Sequence, residues 1–381
     1  MASKNDADPV RAIGILTSGG DCPGLNAVIR AVTKTVLDHG VEVFGFIGGF
    51  AGLVENRYVT LTDKDVSGLL TMGGTILRTS RTKPNKMPTP DGGTRDMTGA
   101  AVETYNRLKL DCLVCLGGGG TMKSAHHLMK EGGLNVVTVP KTIDNDVFGT
   151  DVCFGYDTGM SIATEAIDRL HTTASSHHRV MVVDIMGHNA GWLALGSGLA
   201  GGADVILIPE IPYSLDVVGK SLLDRMRQGK MFSIVAMAEG AVAQEVKTEK
   251  EAKVKKKAKA NKDSDSAREE FRQPVSVELA AHLEEVTGLE TRITSLGYLQ
   301  RGGVPTPTDR VYCTKFGVAA ANCVLARKFG VMVAKRGQEY LPVPLEEVAG
   351  KRRAVPMDHP LVMAARAVGT CLGDVWPNPH K

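Results

Sequence analysis

The sequence predicts an α/β protein with largely parallel sheets, organised in two domains. Apolar, strand-like runs end repeatedly in glycine-rich loops and are followed by helical segments, an alternation that is typical of β-α units. The 43 glycines exceed the usual share of about 7% and lie mostly in those loops. The length of 381 residues is more than one hydrophobic core usually supports, so two domains are expected.

Apolar runs locate the expected strands. These cover residues 12–16, 43–47, 112–116, 136–139, 180–185, 205–208 and 234–237. Apolar residues at helical spacing locate the expected helices. These follow Asn26 and cover 122–130, 161–171, 275–286, 313–328 and 359–370, and one more begins within 191–198.

The charge distribution does not indicate a nucleic-acid partner. The formal net charge is +3, but much of the positive charge lies in one lysine-rich stretch over 247–262, so a general basic surface is not expected. From 244 to 273 lysine, glutamate, alanine and aspartate dominate without an apolar stripe. This composition predicts an exposed insertion that is a solvated loop, with polyanion binding as the alternative.

Neither a membrane segment nor disulfide chemistry is expected. The N-terminus is polar, and the most apolar segment, 192–209, is interrupted by glycines and Asp204. Cys112 and Cys115 form a C-x-x-C, but they lie inside an apolar strand, where residues three apart point to opposite faces. They are expected to be small buried hydrophobes in a reducing compartment. These features predict a cytoplasmic protein.

Two short motifs carry the predicted chemistry. A glycine run over 117–120, followed by Thr121, ends one strand, and Asp144 and Asp146 follow the next strand close to Thr142. Glycines let backbone N–H groups point at phosphate oxygens. Two carboxylates beside a hydroxyl suit deprotonation of a substrate hydroxyl next to a metal-bound phosphate. Each motif alone is more often a plain turn, but their order predicts phosphoryl transfer to a small hydroxylated substrate.

A longer series of motifs resembles the 6-phosphofructokinase family. In order along about residues 11–325, these are GILTSGGDCPGLN at 14–26, the glycine loop at 117–121, PKTIDND at 140–146, and the segments 176–179, 186–188, 238–240, 290–292 and 296–303. The sequence looks closest to the branch with pyrophosphate-dependent and mixed members. The resemblance implies two Rossmann-like domains. A phosphoryl-donor domain is expected over 1–155, rejoined by about 304–345, a fructose 6-phosphate domain over 156–303, and a C-terminal extension over 346–381.

The resemblance implies transfer of a phosphoryl group from ATP to the 1-hydroxyl of fructose 6-phosphate, with Mg²⁺ as cofactor. Asp144 matches the family's catalytic base, Thr142 a transition-state contact, and Arg81 the arginine that bridges the transferred phosphate. Asp146 matches a carboxylate near Mg²⁺. The remaining expected donor-binding positions are Gly20, Gly119, Gly120, Thr121 and Lys141.

A second set of residues matches the family's sugar-phosphate contacts. Those expected within one subunit are Thr142, Ile143, Asp144, Met186, Gly187, His188, Glu239, Tyr298 and Arg301. Arg179 and Arg292 match arginines that reach the 6-phosphate from a neighbouring subunit, so a homo-oligomer, dimer or tetramer, is implied. The planar, permanently charged guanidinium suits phosphate.

Several positions depart from the family pattern. Gly119 stands where an acidic or amide residue is usual, and His188 and Tyr298 stand where many bacterial members have arginine and histidine. Lys34 replaces an arginine of the bacterial effector site.

At the position of Gly120 an aspartate marks pyrophosphate users, whereas Lys141 occurs in both donor classes. Glycine therefore favours ATP, and pyrophosphate is the alternative. A lipid or NAD kinase, which shares such a glycine-rich loop, does not account for the arginines of the second half or for residues 300–303. A non-catalytic sugar-phosphate or nucleotide binder is suggested by Gly119, but the intact Asp144, Asp146 and Arg81 weigh against it.

Overall fold

Two compact units make up the chain in the computed structural model, which describes residues 8–244 and 275–375. The first unit comprises Met1–Gly159 and Arg301–Arg353, and the second comprises Met160–Gln300 and Ala354–Lys381. Apart from Gln244, the insertion expected over 244–273 lies outside the described residues. The expected C-terminal extension is divided between the two units at Arg353.

A seven-stranded sheet forms the centre of the first unit. Its strands are β1 (Ala12–Ser18), β2 (Glu42–Phe46), β3 (Tyr58–Thr60), β6 (Cys112–Gly117), β7 (Val136–Pro140), β12 (Val331–Arg336) and β13 (Glu339–Pro344), while β4 (Met87–Pro88) and β5 (Thr94–Arg95) form a separate ribbon. The spatial order is β13-β12-β7-β6-β1-β2-β3. Neighbours from β12 to β2 pair in parallel, and the edge strands β3 and β13 pair antiparallel. The largely parallel sheet is confirmed.

Burial of the three central strands explains how the sequence locates them. Every residue of β1, β6 and β7 is buried. A strand of a parallel sheet that is covered on both faces reads as a continuous apolar run, which is why these runs predict the strands to within two residues. The additional residues of β1, Thr17 and Ser18, are buried polar side chains.

A four-stranded sheet, entirely parallel, forms the centre of the second unit. Its strands are β8 (Val180–Ile185), β9 (Val205–Leu207), β10 (Ser233–Ala238) and β11 (Thr291–Ser295). They are ordered β11-β8-β10-β9. The carboxyl ends of β8, β10 and β11 therefore lie side by side, which is where α/β sheets usually bind ligands.

Helices follow most of the strands. In chain order they are α1 (Leu25–Leu37), α2 (Phe50–Val54), α3 (Thr98–Arg107), α4 (Gly119–Gly132), α5 (Tyr156–His177), α6 (Trp192–Ala200), α7 (Leu215–Arg227), α8 (Val275–Thr287), α9 (Pro307–Leu325), α10 (Leu345–Val348) and α11 (Pro360–Ala367). Across the described ranges, none of them is long and apolar enough to cross a bilayer.

Three helices begin earlier than their apolar stripes indicate. Helix α4 begins at Gly119 instead of residue 122, because its first turn consists of glycines and Thr121, which carry no apolar signal. Helix α5 begins at Tyr156 instead of residue 161. Helix α9 begins at Pro307 instead of residue 313, where the Thr306 side chain accepts a hydrogen bond from the backbone N–H of Asp309 at 3.2 Å, as a helix-capping residue does.

All seven cysteines are free and buried. Cys112 and Cys115 lie in the buried strand β6, as the apolar run around them predicts. Burial raises the pKa of both thiols, so they are neutral packing groups and not a redox pair.

Candidate active site

A pocket of about 210 Å³ lies in the first unit where β1, β6 and β7 end. Ser18, Gly117 and Pro140 are register partners across the three strands, so the loops that follow them start at the same level. The pocket brings together residues from all the donor-side motifs of the sequence. Those expected from the sequence are Gly20, Arg81, Gly120, Thr121, Lys141, Thr142, Ile143, Asp144, Asp146 and Arg301.

The first turn of helix α4 forms one wall of this pocket through Gly120 and Thr121, whereas Gly119, also expected there, is not among the lining residues. The first intrahelical hydrogen bond runs from Met122 N–H to Gly118 O at 3.1 Å. The N–H groups of Gly119, Gly120 and Thr121 come before it and are therefore not used by the hydrogen bonds of the helix. Such N–H groups attract anions, helped by the helix dipole. A Cβ atom at Gly119 or Gly120 would meet no protein atom within 4 Å. This wall therefore has room for a phosphate close to the backbone.

The loop that follows β7 carries the two carboxylates. Asp144 and Asp146 both line the pocket, and Asn145 between them is buried in a left-handed conformation with φ 54°. The Asn145 side-chain oxygen accepts a hydrogen bond from Cys153 N–H at 2.9 Å. The Thr142 hydroxyl accepts one from Asp144 N–H at 3.0 Å. The turn thus places both carboxylates in one pocket and fixes the asparagine on the protein side.

Asp146 receives support from a distant segment of the chain. Its side chain is 21% exposed, and the Arg352 guanidinium lies 3.6 Å from its carboxylate. The adjacent Arg353 N–H donates to Asp146 O at 2.9 Å. Burial raises the pKa of Asp146, and Arg352 acts in the opposite direction. Arg352 is a contact that no local motif indicates, because it lies about 200 residues further along the chain.

Lys141 also lines the pocket. It is 4% exposed, and its ammonium donates to the carbonyl oxygen of Gly20. Burial lowers its pKa, and the charge of Arg301 lowers it further. A Cβ atom at Gly20 would overlap the Arg301 guanidinium, so glycine at this position keeps the space that Arg301 fills.

The charges around the pocket suit a polyphosphate with a divalent cation. The cationic lining groups are Arg81, Lys83, Lys141 and Arg301, and the carboxylates are Asp21, Asp144 and Asp146. Within the described residues no three His, Cys, Asp or Glu side chains are grouped to hold a metal. The two carboxylates at 144 and 146 instead fit an ion such as Mg²⁺, which takes one or two protein carboxylates and completes its shell from phosphate and water.

A second pocket, of about 160 Å³, lies in the second unit at the ends of β8, β10 and β11. It contains Met186 and Glu239 from the predicted sugar-phosphate set. Glu239 N–H donates to Ile185 O at 2.8 Å, which fixes the backbone of Glu239 beside the end of β8. Gly187 has a φ of 136°, and His188 is exposed beside Gly240, where a Cβ atom would overlap the His188 backbone.

Asp184 is a residue of this pocket that no sequence motif indicates. Its carboxylate accepts a hydrogen bond from the Ser276 hydroxyl at 2.8 Å. Burial raises the pKa of Asp184, the hydrogen bond from Ser276 opposes this, and the charge of Glu239 adds to it. No spacing rule connects residues 184 and 276, so only the pairing of strands and helices in space brings them together.

Arg179 and Arg292 share one carboxylate in the second unit. Both guanidinium groups pair with Glu290, and the Arg292 side chain is 54% exposed. The hydrogen bond from Arg179 lowers the pKa of Glu290. Two arginines with a single counter-ion leave a net positive charge, which suits a phosphate dianion. Tyr298, from the same predicted set, is 76% exposed.

Comparison with known proteins identifies the family. Residues 12–324 match a family model described as Phosphofructokinase. This chain belongs to the phosphofructokinase family. It is 53% identical to the ATP-dependent 6-phosphofructokinase of Spirochaeta thermophila over 96% of this chain and 98% of that one. It is 51% identical to the protein of the same name from Propionibacterium freudenreichii subsp. shermanii, over 95% and 99% of the two chains.

Solved structures of the phosphofructokinase family share the fold. Phosphofructokinase from Pichia pastoris in the T-state superposes with a TM-score of 0.76 and 33% identity over 90% of this chain, which spans 36% of that longer chain. The pyrophosphate-dependent phosphofructokinase from Marinobacter aquaeolei superposes with a TM-score of 0.76 over 97% of this chain and 93% of that one, at 22% identity. The phosphofructokinase-like α/β fold expected from the sequence is therefore confirmed.

Proposed function

We propose that this chain is an ATP-dependent 6-phosphofructokinase, which transfers a phosphoryl group from ATP to the 1-hydroxyl of fructose 6-phosphate. The observation that carries the proposal is the first pocket, in which Asp144, Asp146 and Arg81 lie with the N-terminus of helix α4. Relatives that are 53% and 51% identical carry this name, which supports ATP over pyrophosphate as the donor. The first unit then holds the phosphoryl donor, and the second unit holds the sugar phosphate.

Asp144 is the proposed general base. Its carboxylate accepts the proton of the 1-hydroxyl as that oxygen attacks the γ-phosphorus, and the bond from the γ-phosphorus to ADP breaks. A positioned base contributes about 10²–10⁴-fold to such a reaction. The hydrogen bond from Asp144 N–H to Thr142 Oγ1 fixes the backbone from which the base extends.

The cationic residues stabilise the charge on the phosphoryl oxygens. Arg81 binds the transferred phosphoryl group, and the N–H groups of Gly119, Gly120 and Thr121 bind donor phosphates. Phosphoryl transfer depends mainly on positioning and charge neutralisation. Lys141 is held against Gly20 O, so its ammonium is oriented before the donor arrives.

Mg²⁺ is the proposed metal, held by Asp146 together with donor oxygens and water. When bound, it would neutralise charge on the donor phosphates. Gly119, where the family usually has a carboxylate or amide, leaves Asp146 as the principal protein ligand. The Arg352 guanidinium, 3.6 Å from the Asp146 carboxylate, helps to orient that side chain.

Glu239, Met186, Gly187, His188 and Tyr298 are proposed to bind the sugar. Arg179 and Arg292 are proposed to bind its 6-phosphate from a neighbouring subunit, which requires a homo-oligomer. Both arginines leave Glu290 when they bind the phosphate, because a phosphate dianion is the stronger partner for two guanidinium groups. A cytoplasmic location remains a prediction from the sequence.

A donor comparison tests the proposed function. Fructose 1,6-bisphosphate formation should be measured with ATP and, separately, with pyrophosphate at equal concentrations, with Mg²⁺ and with an excess of EDTA. We expect turnover with ATP and Mg²⁺ and little with pyrophosphate. Good turnover with pyrophosphate and hardly any with ATP would reverse the donor assignment, and no turnover with either would favour a non-catalytic binder.

Replacing Arg292 with alanine is expected to raise KM for fructose 6-phosphate by at least about 10-fold with a smaller change in KM for ATP, because a charge-assisted bond to phosphate contributes about 1.5–3 kcal/mol. Steady-state kinetics with each substrate varied will measure this. Arg169→Ala is the matched control, since Arg169 is an exposed arginine of the same unit that pairs with Glu165. Its KM values should be unchanged.

Subunit mixing tests whether the site is shared. Asp144→Asn subunits and Arg292→Ala subunits, dissociated and reassembled together, should regain part of the activity at a fructose 6-phosphate concentration too low for either variant alone to turn over, because some sites then receive both intact residues. Hybrids that are shown to have formed but remain inactive would count against a contribution of Arg292 from the neighbour.

A further inference from the structure

Asn26 holds the segment that leads to Arg81. It lies in the first turn of helix α1 and is 1% exposed. Its side-chain oxygen accepts a hydrogen bond from Ile76 N–H at 2.9 Å, and its amide nitrogen donates to Gly73 O at 3.0 Å and to Met72 O at 3.3 Å. One buried side chain therefore fixes the backbone over 72–76 at three points.

The next residues of this segment are attached to the end of strand β1. The Thr17 hydroxyl donates to Arg78 O at 2.6 Å, Gly19 N–H donates to Ser80 O at 2.9 Å, and the Thr79 hydroxyl donates to Gly19 O at 2.8 Å. Arg78 adopts a left-handed backbone with φ 53°. Asn26 thus holds the start of this segment, and Gly19 holds its end at residues 79 and 80. The following residue, Arg81, lines the pocket.

The same segment contacts the backbone that carries Arg301. A Cβ atom at Gly73 would overlap the carbonyl group of Gly303, so Gly73 packs directly on the chain two residues after Arg301. Because Asn26 holds Gly73 O, it fixes this contact as well. This packing gives the segment over 72–76 a further fixed point besides the hydrogen bonds to Asn26.

We propose that Asn26 is a positioning residue for Arg81: it takes no part in ligand contact and fixes the backbone over 72–76 so that the guanidinium of Arg81 meets the phosphate. This inference rests on the role proposed above for Arg81. An amide is required because the site presents both an N–H donor and two carbonyl acceptors, and only a group with an oxygen and an NH₂ can satisfy both kinds. A displacement of about 1 Å of a charged group can cost about 10²-fold in rate.

A double-mutant cycle separates positioning from mere support of the fold. The four proteins are the wild type, Asn26→Asp, Arg81→Ala and the double variant. Asn26→Asp keeps the shape but places a carboxylate against two carbonyl oxygens. We expect it to lower kcat by about 10–100-fold with KM for fructose 6-phosphate unchanged within about threefold. In the Arg81→Ala background the same change should lower kcat no further, because the residue that it positions is gone.

Controls keep the result interpretable. Thr33→Ala changes another buried polar residue of helix α1, whose hydroxyl has no hydrogen-bond partner among the described residues, and should leave kcat unchanged. If Asn26→Asp does not fold, Asn26→Ser, which keeps a shorter hydrogen-bonding group, takes its place in the cycle. Unchanged kcat in the Asn26 variant, or equal losses with and without Arg81, would overturn the inference. If Arg81→Ala itself retains full activity, the proposed role of Arg81 fails instead.

Discussion

Asp144→Asn is expected to lower kcat by at least about 10²–10⁴-fold and to leave KM for fructose 6-phosphate nearly unchanged. The asparagine has the same shape but cannot accept the proton of the substrate hydroxyl. The loop should keep its conformation, since the hydrogen bond between Thr142 Oγ1 and Asp144 uses the backbone N–H, and Asn145 remains tied to Cys153. Steady-state kinetics and thermal unfolding of the same preparation will show whether the loss is chemical.

The matched control for this prediction is Asp63→Asn. Asp63 pairs with Lys34 on the surface, and its side chain is 69% exposed, so its neutralisation should leave kcat unchanged. An Asp144→Asn enzyme with near-normal kcat would remove Asp144 from the role of base.

Gly120→Asp is expected to abolish most of the ATP-dependent activity while leaving use of pyrophosphate intact or improved. The carboxylate would occupy the space for the α-phosphate and repel it. Two unit charges 4 Å apart cost about 4 kcal/mol at an effective dielectric of 20, which is about 10³-fold in kcat/KM for ATP. The fold should tolerate the change, because a Cβ atom at Gly120 meets no protein atom within 4 Å.

Gly119→Asp is the position-matched comparison. It adds the same carboxylate one residue earlier, where a Cβ atom also meets nothing within 4 Å. There it should raise activity or lower the Mg²⁺ concentration needed for half-maximal rate, because it restores a metal-side carboxylate. Equal losses of ATP use in both variants would point to general damage of helix α4. If the wild type itself prefers pyrophosphate, Lys141 and not Gly120 is the residue that indicates which phosphoryl donor the enzyme uses.

The sequence predicts the buried centre of the fold better than its edges. Strands β1, β6 and β7 follow from continuous apolar runs, because both of their faces are covered. The edge strand β3, Tyr58–Thr60, is exposed throughout, and β13 contains two prolines, so neither has an apolar pattern to detect. The apolar stripe of helix α9 begins six residues after the helix does, because the helix start depends on a capping contact at Thr306 and not on hydrophobicity.

For the candidate site, the sequence predicts what lies within one motif. Asp144 and Asp146 are neighbours in the sequence, and they line one pocket. The contacts that hold this pocket together come from distant segments, so no motif predicts them. Arg352 reaches Asp146 from the end of the first unit, and Asn26 fixes a segment about 50 residues ahead of it. Such partners become neighbours only when the sheet has formed.

The buried cysteines make the folded protein a poor substrate for thiol reagents. Burial raises the pKa of each of the seven thiols, and the reactive species is the thiolate. Alkylation therefore has to wait for local or global opening, and its rate measures the free energy of that opening. Cys371 belongs to the second unit and the other six to the first. Mass spectrometry of the alkylated peptides can therefore follow the opening of each unit separately in a single experiment.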